Sequence, residues 1–270
     1  MSVIERALQK SRAGGHAASG AAFGDWAAPG VRPARPIPST APSLATRHAE
    51  VDPGQAEKSG ALLDGADVAA ARAYKILRTQ LLRRLGNKGS GLVAVTAVNA
   101  GDGKTVTSLN LALSLARDVN TRVVLLDLDL QRPSIARYLG MQATTGLDDY
   151  LSGRAPMSDL WHDIGVPRLT VVPSLGSMTD ASDALRSPAM MELIDTLHRQ
   201  QCVALFDLPP LLMGDDVLTI APHMDGVLLV VGERNTPRAA LTAARNVLAE
   251  MNVLGVVLNR SAEREHAQYY

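Results

Sequence analysis

The stretch AVNAGDGKT, residues 97–105, carries the clearest chemistry in the chain. It falls between an apolar run and a run with helical spacing. Gly101 and Gly103 allow a tight turn in which successive backbone N–H groups point inward, at phosphate oxygens. The N-terminus of the following helix adds a favourable dipole. Lys104 is placed to reach the β- and γ-phosphates, and the Thr105 hydroxyl to bind Mg²⁺. The strict pattern G-x-x-x-x-G-K-[ST] asks for glycine at position 98, where Val98 stands. An ordinary glycine-rich helix start is the competing explanation for this loop taken alone.

Two further stretches weigh against that explanation. VVLLDLDLQRP (123–133) ends an apolar strand in Asp127 and Asp129, which share one side of it. Two unpaired carboxylates there repel unless a cation sits between them, and Mg²⁺–nucleotide supplies one. VALFDLPP (203–210) ends a second apolar strand in Asp207, in the form of a Walker B carboxylate that holds Mg²⁺ directly or through water. Each lone Asp is explained as well by a cap or a turn. Three strand-end carboxylates and a GKT on one sheet edge are not, and they point to nucleotide binding.

The elements that must position these groups can be read from periodicity. ADVAAARAYKILRTQLLRRLG has helical spacing, with Val68, Ala71, Tyr74, Leu77, Leu81 and Leu82 in an apolar stripe and Gly86 as a stop. Strands are expected at 92–98, 122–129, 202–207, 226–231 and 255–259, and helices at 104–118 and near 188–200 and 237–250. Continuous apolar strands alternating with helices imply a parallel α/β sheet covered on both faces. In such a sheet every strand C-terminus lies on the edge that carries the phosphate loop.

The chain has 270 residues, 46% of them hydrophobic, and equal numbers (27) of basic and acidic residues. A neutral chain gives no global signal for nucleic acid. The single cysteine, Cys202, excludes a disulfide within the chain and reads as a buried strand residue. No apolar run approaches the ~20 residues of a membrane span, and MSVIERALQK lacks a signal core. A cytoplasmic protein is expected. The six histidines show no metal-ligand spacing, and Arg154 and Arg168 read as solvated surface charges. Residues 1–12 read as a short amphipathic segment, either a docking peptide or a frayed end. Residues 13–66, rich in Ala, Gly and Pro, read as a disordered linker. The folded domain is expected over 67–262, with a tyrosine-bearing tail at 263–270.

Together, GDGKT, LLDLDLQRP and LFDLPP resemble the Walker A, A′ and B motifs of the bacterial tyrosine kinases of exopolysaccharide and capsule biosynthesis. AYKILRTQ (73–80), DGVLLVV (225–231) and GVVLNR (255–260) are similar to that family's leading helix and later strands. MSVIERALQK and the linker resemble the separate cytoplasmic kinases of exosortase-associated systems. The resemblance implies a P-loop NTPase fold of the SIMIBI/MinD-like type and ATP-dependent autophosphorylation of a C-terminal tyrosine cluster, here Tyr269 and Tyr270. It implies ATP and Mg²⁺ as cofactors. The nucleotide would sit on Ala100, Gly101, Asp102, Gly103, Lys104, Thr105 and Val106, with Asn259 at the adenine. Asp127 and Thr105 would hold Mg²⁺, and Asp207 the ion or its water. Lys104 would stabilise the transferring phosphoryl group, and Asp129 would be the base.

The same resemblance implies a separate transmembrane polysaccharide co-polymerase that recruits the kinase to the inner face of the membrane. It implies self-association and leaves room for a cognate tyrosine phosphatase. The family's Glu-x-x-Arg-x-x-Arg pattern is altered here to Arg72, Lys75 and Arg78, and Leu208 stands where Thr is usual. A switch ATPase of the ParA/MinD type is the rival. Its signature lysine would occupy position 99, which is Asn99 here.

Overall fold

Four strands in which every residue is buried lie side by side at the centre of the molecule. A computed structural model describes residues 45–63, 67–86, 89–233 and 235–261. Its elements run β1 (Arg47–His48), α1 (Pro53–Lys58), α2 (Val68–Leu85), β2 (Gly91–Ala97), α3 (Lys104–Ala116), β3 (Val123–Asp127), α4 (Ile135–Leu139) and α5 (Leu147–Leu151). They continue with β4 (His162–Asp163), β5 (Leu169–Val172), α6 (Ala181–Leu185), α7 (Pro188–Arg199), β6 (Val203–Asp207), α8 (Asp216–Ile220), β7 (Gly226–Gly232), α9 (Arg238–Val247) and β8 (Val253–Asn259). The sheet order is β1-β4-β5-β3-β6-β2-β7-β8, and all neighbours are parallel except the pair β4/β5.

Strand alternation sorts the core into two halves. Leu92, Ala94, Val124, Leu126, Ala204 and Phe206 pack on one face, beneath α7 and its Met190, Leu193, Ile194 and Leu197. Val93, Val95, Val123, Leu125, Val203 and Leu205 pack on the other, beneath α3 and its Leu109, Ala112 and Leu113. By the same alternation Asp127 and Asp207 end their strands on the α3 face. They are register partners on adjacent strands. The phosphate loop therefore leaves β2 next to β6, and α3 starts on the face to which both carboxylates point.

Several expectations need correction. Residues 45–63, read as linker, form β1 and α1. Arg47 N donates to Trp161 O at 2.8 Å and Ala49 N to Asp163 O at 2.9 Å, which extends the sheet edge. Asp52 caps α1 through the amides of Gly54 and Gln55, and α1 packs on α4. Asn110 of α3 ties down the end of this strap: its Oδ1 accepts from Leu62 N and its Nδ2 donates to Gly60 O, both at 2.8 Å. Val68 is 78% exposed and does not join the stripe of α2, which buries Leu81 and half-buries Tyr74, Leu77 and Leu82. Arg168 is an exposed surface charge, as expected, but it also has a structural partner. Its guanidinium donates to Ala116 O and Asp118 O, capping the C-terminus of α3. Arg154 pairs with Asp149 at 2.9 Å. Cys202 is buried, and burial pushes its thiol up to about 11, which leaves it unreactive at neutral pH.

Candidate active site

The site is built on the loop between β2 and α3. Gly101 and Gly103 have φ of 83° and 93°, the left-handed region that the glycines of the sequence predict. A side chain at Gly103 would also collide with Asn259. No side chain caps α3, so its first N–H groups stay open to a ligand. Nδ2 of Asn99, within the loop, is buried with no hydrogen-bond partner among the described residues. An open helix N-terminus and an orphan donor suit an anion.

Lys104 heads α3 and reaches across the sheet edge. Its Nζ lies 2.9 Å from Asp129 Oδ2 and 3.3 Å from Asp207 Oδ2. Burial alone would lower the pKa of this lysine, but the charges of Asp207 and Asp129 outweigh it and hold the ammonium above its ordinary value. Asp207 is fully buried. Its Oδ2 accepts from Thr105 Oγ1 at 2.7 Å and its Oδ1 from Ser108 Oγ at 3.0 Å. Burial pushes its pKa up, opposed by Lys104 and the two hydroxyls. Asp127, also fully buried, accepts from the amides of Ser134 and Ile135, both at 2.8 Å. Burial, then the charge of Asp207 beside it, pushes Asp127 up to about 7. The Thr105 and Ser134 hydroxyls are 3.1 Å apart.

The donor set of Asp127, Asp207 and the Thr105 hydroxyl is all oxygen, which fits Mg²⁺. Among the described residues no three His, Cys, Asp or Glu side chains form a metal cage. Mg²⁺ needs none, because one or two carboxylates and substrate phosphates complete its shell. Two buried carboxylates, one of them pushed up by the other, make a site that a divalent cation relieves.

Lys104, Thr105, Asp127, Asp129 and Asp207 thus converge as their spacing predicts. Asp102 and Asn259 differ. The Asp102 carboxylate is fully buried behind the loop, where it accepts from Asn99 N at 2.9 Å, Asn235 Nδ2 at 2.6 Å and Thr236 Oγ1 at 2.9 Å. Asn259 Nδ2 donates to the Asp102 carbonyl at 2.9 Å. Both residues brace the loop against β7 and β8. Ala100 and Gly101 are exposed at its tip. Ser108, Ser134, Asn235 and Thr236 are not among the residues that the sequence singles out. Ser108 was legible, since it lies one helical turn after Lys104. The others reach the site from loops whose course no local pattern reveals. Tyr269 and Tyr270 lie outside the described residues.

A family model described as ParA, NUBPL iron-transfer P-loop NTPase, matches residues 90–267. The chain is 32% identical over 195 residues to the putative tyrosine-protein kinase EpsB of Ralstonia solanacearum, covering 72% of this chain and 26% of EpsB. It therefore spans about a quarter of the length of that relative. It is 30% identical to the tyrosine-protein kinase CpsD of Streptococcus pneumoniae serotype 4 over 194 residues, 71% of this chain and 84% of CpsD. Among solved structures, the kinase domain of VpsO superposes with a TM-score of 0.64 at 29% identity, over 71% of this chain and 95% of that one.

Proposed function

Because the chain belongs to the family of bacterial P-loop tyrosine kinases, we propose that it is an ATP-dependent protein-tyrosine autokinase acting on Tyr269 and Tyr270. The observation that carries this reading is the half-buried Lys104 held between Asp129 and Asp207 at the mouth of a glycine loop. The loop from Ala100 to Val106 would cradle the phosphates, and Asn259, behind it, would border the adenine. Thr105, Asp127 and Asp207 would hold Mg²⁺, which neutralises charge on the phosphate oxygens.

The chain's own groups account for the rest. The tyrosine oxygen attacks the γ-phosphorus. The bond from that phosphorus to its bridging oxygen breaks, and ADP leaves with the electron pair. The hydroxyl proton passes to Asp129. A tyrosine hydroxyl has a pKa near ~10, so an acceptor in place is required at neutral pH. In the nucleotide-free geometry Asp129 is tied to Lys104. Phosphates that draw Lys104 toward them release Asp129, so the base becomes available only when a nucleotide is in place.

The reading extends to control of exopolysaccharide polymerisation and export at the inner face of the membrane. No helix among the described residues is long and apolar enough to cross a bilayer. The partner is a separate transmembrane co-polymerase, with self-association and a tyrosine phosphatase as further expectations. A ParA-type switch ATPase without transfer is the second reading, favoured by the family model; Asn99 in place of the signature lysine speaks against it.

Intact-mass analysis after incubation with ATP and Mg²⁺ tests both. Phosphate is expected on the wild type and absent from Tyr269→Phe/Tyr270→Phe and from Asp129→Asn, which keeps the Lys104–Asp207 pair. Lys104→Met is also expected to be silent. It leaves buried carboxylates unpaired at a cost of about 3–5 kcal/mol, so its fold is checked by circular dichroism. ATP hydrolysis with no phosphate on any sample would move the assignment to the switch ATPase.

A further inference from the structure

Charge in this neutral chain is unevenly placed. Basic and acidic residues number 27 each overall, yet α2 carries Arg72, Lys75, Arg78, Arg83 and Arg84 and no acid. Where α2 meets the end of α3, a groove of about 820 Å³ is lined by Arg72, Lys75, Ile76, Arg78, Thr79 and Arg117. Among the described residues no carboxylate lines it. Arg78 Nη1 donates to Ser114 O at 2.9 Å and Arg117 Nη2 to Leu62 O at 3.4 Å. Neutral carbonyls thus hold both guanidinium groups in place without cancelling their charge. Lys75 and Arg117 are exposed. Several oriented cations in one groove suit a compact dianion with several oxygens.

The chain can deliver such a group to this groove. α2 packs against β8, the strand from which residues 260–270 continue. Those residues extend to at most ~36 Å, and α2 itself is ~27 Å long, so the whole helix is within reach. Unmodified, that segment sets Glu263 and Glu265 against Arg260 and Arg264, so its side chains balance. Phosphate on Tyr269 and Tyr270 would add about −3 to −4 of charge.

We propose that the α2–α3 groove is a phosphotyrosine-binding site, and that its occupant is the chain's own segment 262–270 once Tyr269 and Tyr270 are phosphorylated. The groove takes up the product of the reaction and keeps it from re-entering the carboxylate-lined site. This rests on the autokinase reading only for the source of the phosphate.

The test uses the full chain carrying Tyr269→Phe/Tyr270→Phe, without ATP. Fluorescence anisotropy follows a labelled synthetic peptide AEREHAQYY, either unmodified or phosphorylated on both tyrosines. At least tenfold tighter binding of the phosphorylated form is expected, weakening with salt. Lys75→Glu/Arg117→Glu should remove that preference, and saturating Mg·ADP should leave it intact. Equal affinity for the two peptides, displacement by Mg·ADP, or unchanged binding in the groove variant would each overturn the proposal. So would a groove variant that changes only the oligomer size in light scattering, which would make this face a surface for another copy. The peptide is synthetic, so a failed kinase reading shows itself separately, as no phosphate gained from ATP.

Discussion

The charge of Asp127 depends on what surrounds it. An unfolded Asp titrates near ~3.9, whereas burial and the neighbouring Asp207 push Asp127 up to about 7 in the folded protein. Between those values the native state holds a proton that the unfolded chain has lost. Stability of the nucleotide-free protein therefore falls as pH rises from about 4 to about 7, by at most ~1.4 kcal/mol per pH unit for one proton. Urea midpoints across that window should decline in the wild type and decline less steeply in Asp127→Asn, where Asp207 remains. A wild-type slope no steeper than that of the variant would show Asp127 ionised and paired throughout. At this scale the site was largely legible, because Lys104, Thr105, Asp127, Asp129 and Asp207 each lie at or within two residues of the end of an element with a strong local signature. Ser134 and Thr236 were not, because their approach depends on loop paths.

The elements tell a similar story with one exception. β2, β3, β6 and β7 were readable because a strand buried on both faces must be apolar throughout. β4, β5 and the short helices α4–α6 fell below the length at which periodicity speaks. The strap 45–63 was hidden for another reason. It is poor in large apolar residues and is held by main-chain pairing and by Asn110, neither of which composition reports. Asn110→Ala should leave Leu62 N and Gly60 O without their partners, at a cost of about 1–3 kcal/mol. Limited proteolysis should then cut within residues 45–63 well before the rest of the domain. Unchanged protection would mean that β1 and α1 hold the strap unaided.

For the whole molecule, nucleotide and fold are linked through the same buried charges. A ligand at 100 times its Kd adds about 2.7 kcal/mol to stability by mass action. Mg·ATP should raise the urea midpoint accordingly. ATP with a chelator should raise it less, since Asp127 and Asp207 then face the phosphates without a cation between them. Equal shifts in the two conditions would remove the cation from the carboxylate pair. The helix-covered sheet that sets this linkage was legible from alternating strands and helices. The antiparallel β4 and the edge built by β1 were not, because pairing between distant short segments leaves no mark on either one.

The register of Asp127 against Asp207 has a consequence of its own. Adjacent strands lie ~4.8 Å apart, so the spacing of the two backbone positions that carry the carboxylates is graduated by the main-chain ladder. The sheet works there as a ruler. Apolar residues upstream in β3 or β6 can drift in identity without moving the graduation, as long as none is lost or gained. A single deletion in β6 would turn its terminal carboxylate to the opposite face. A deletion of two would restore the face but draw the group back by ~6.6 Å. In this protein, accuracy at the reacting end is stored as strand length.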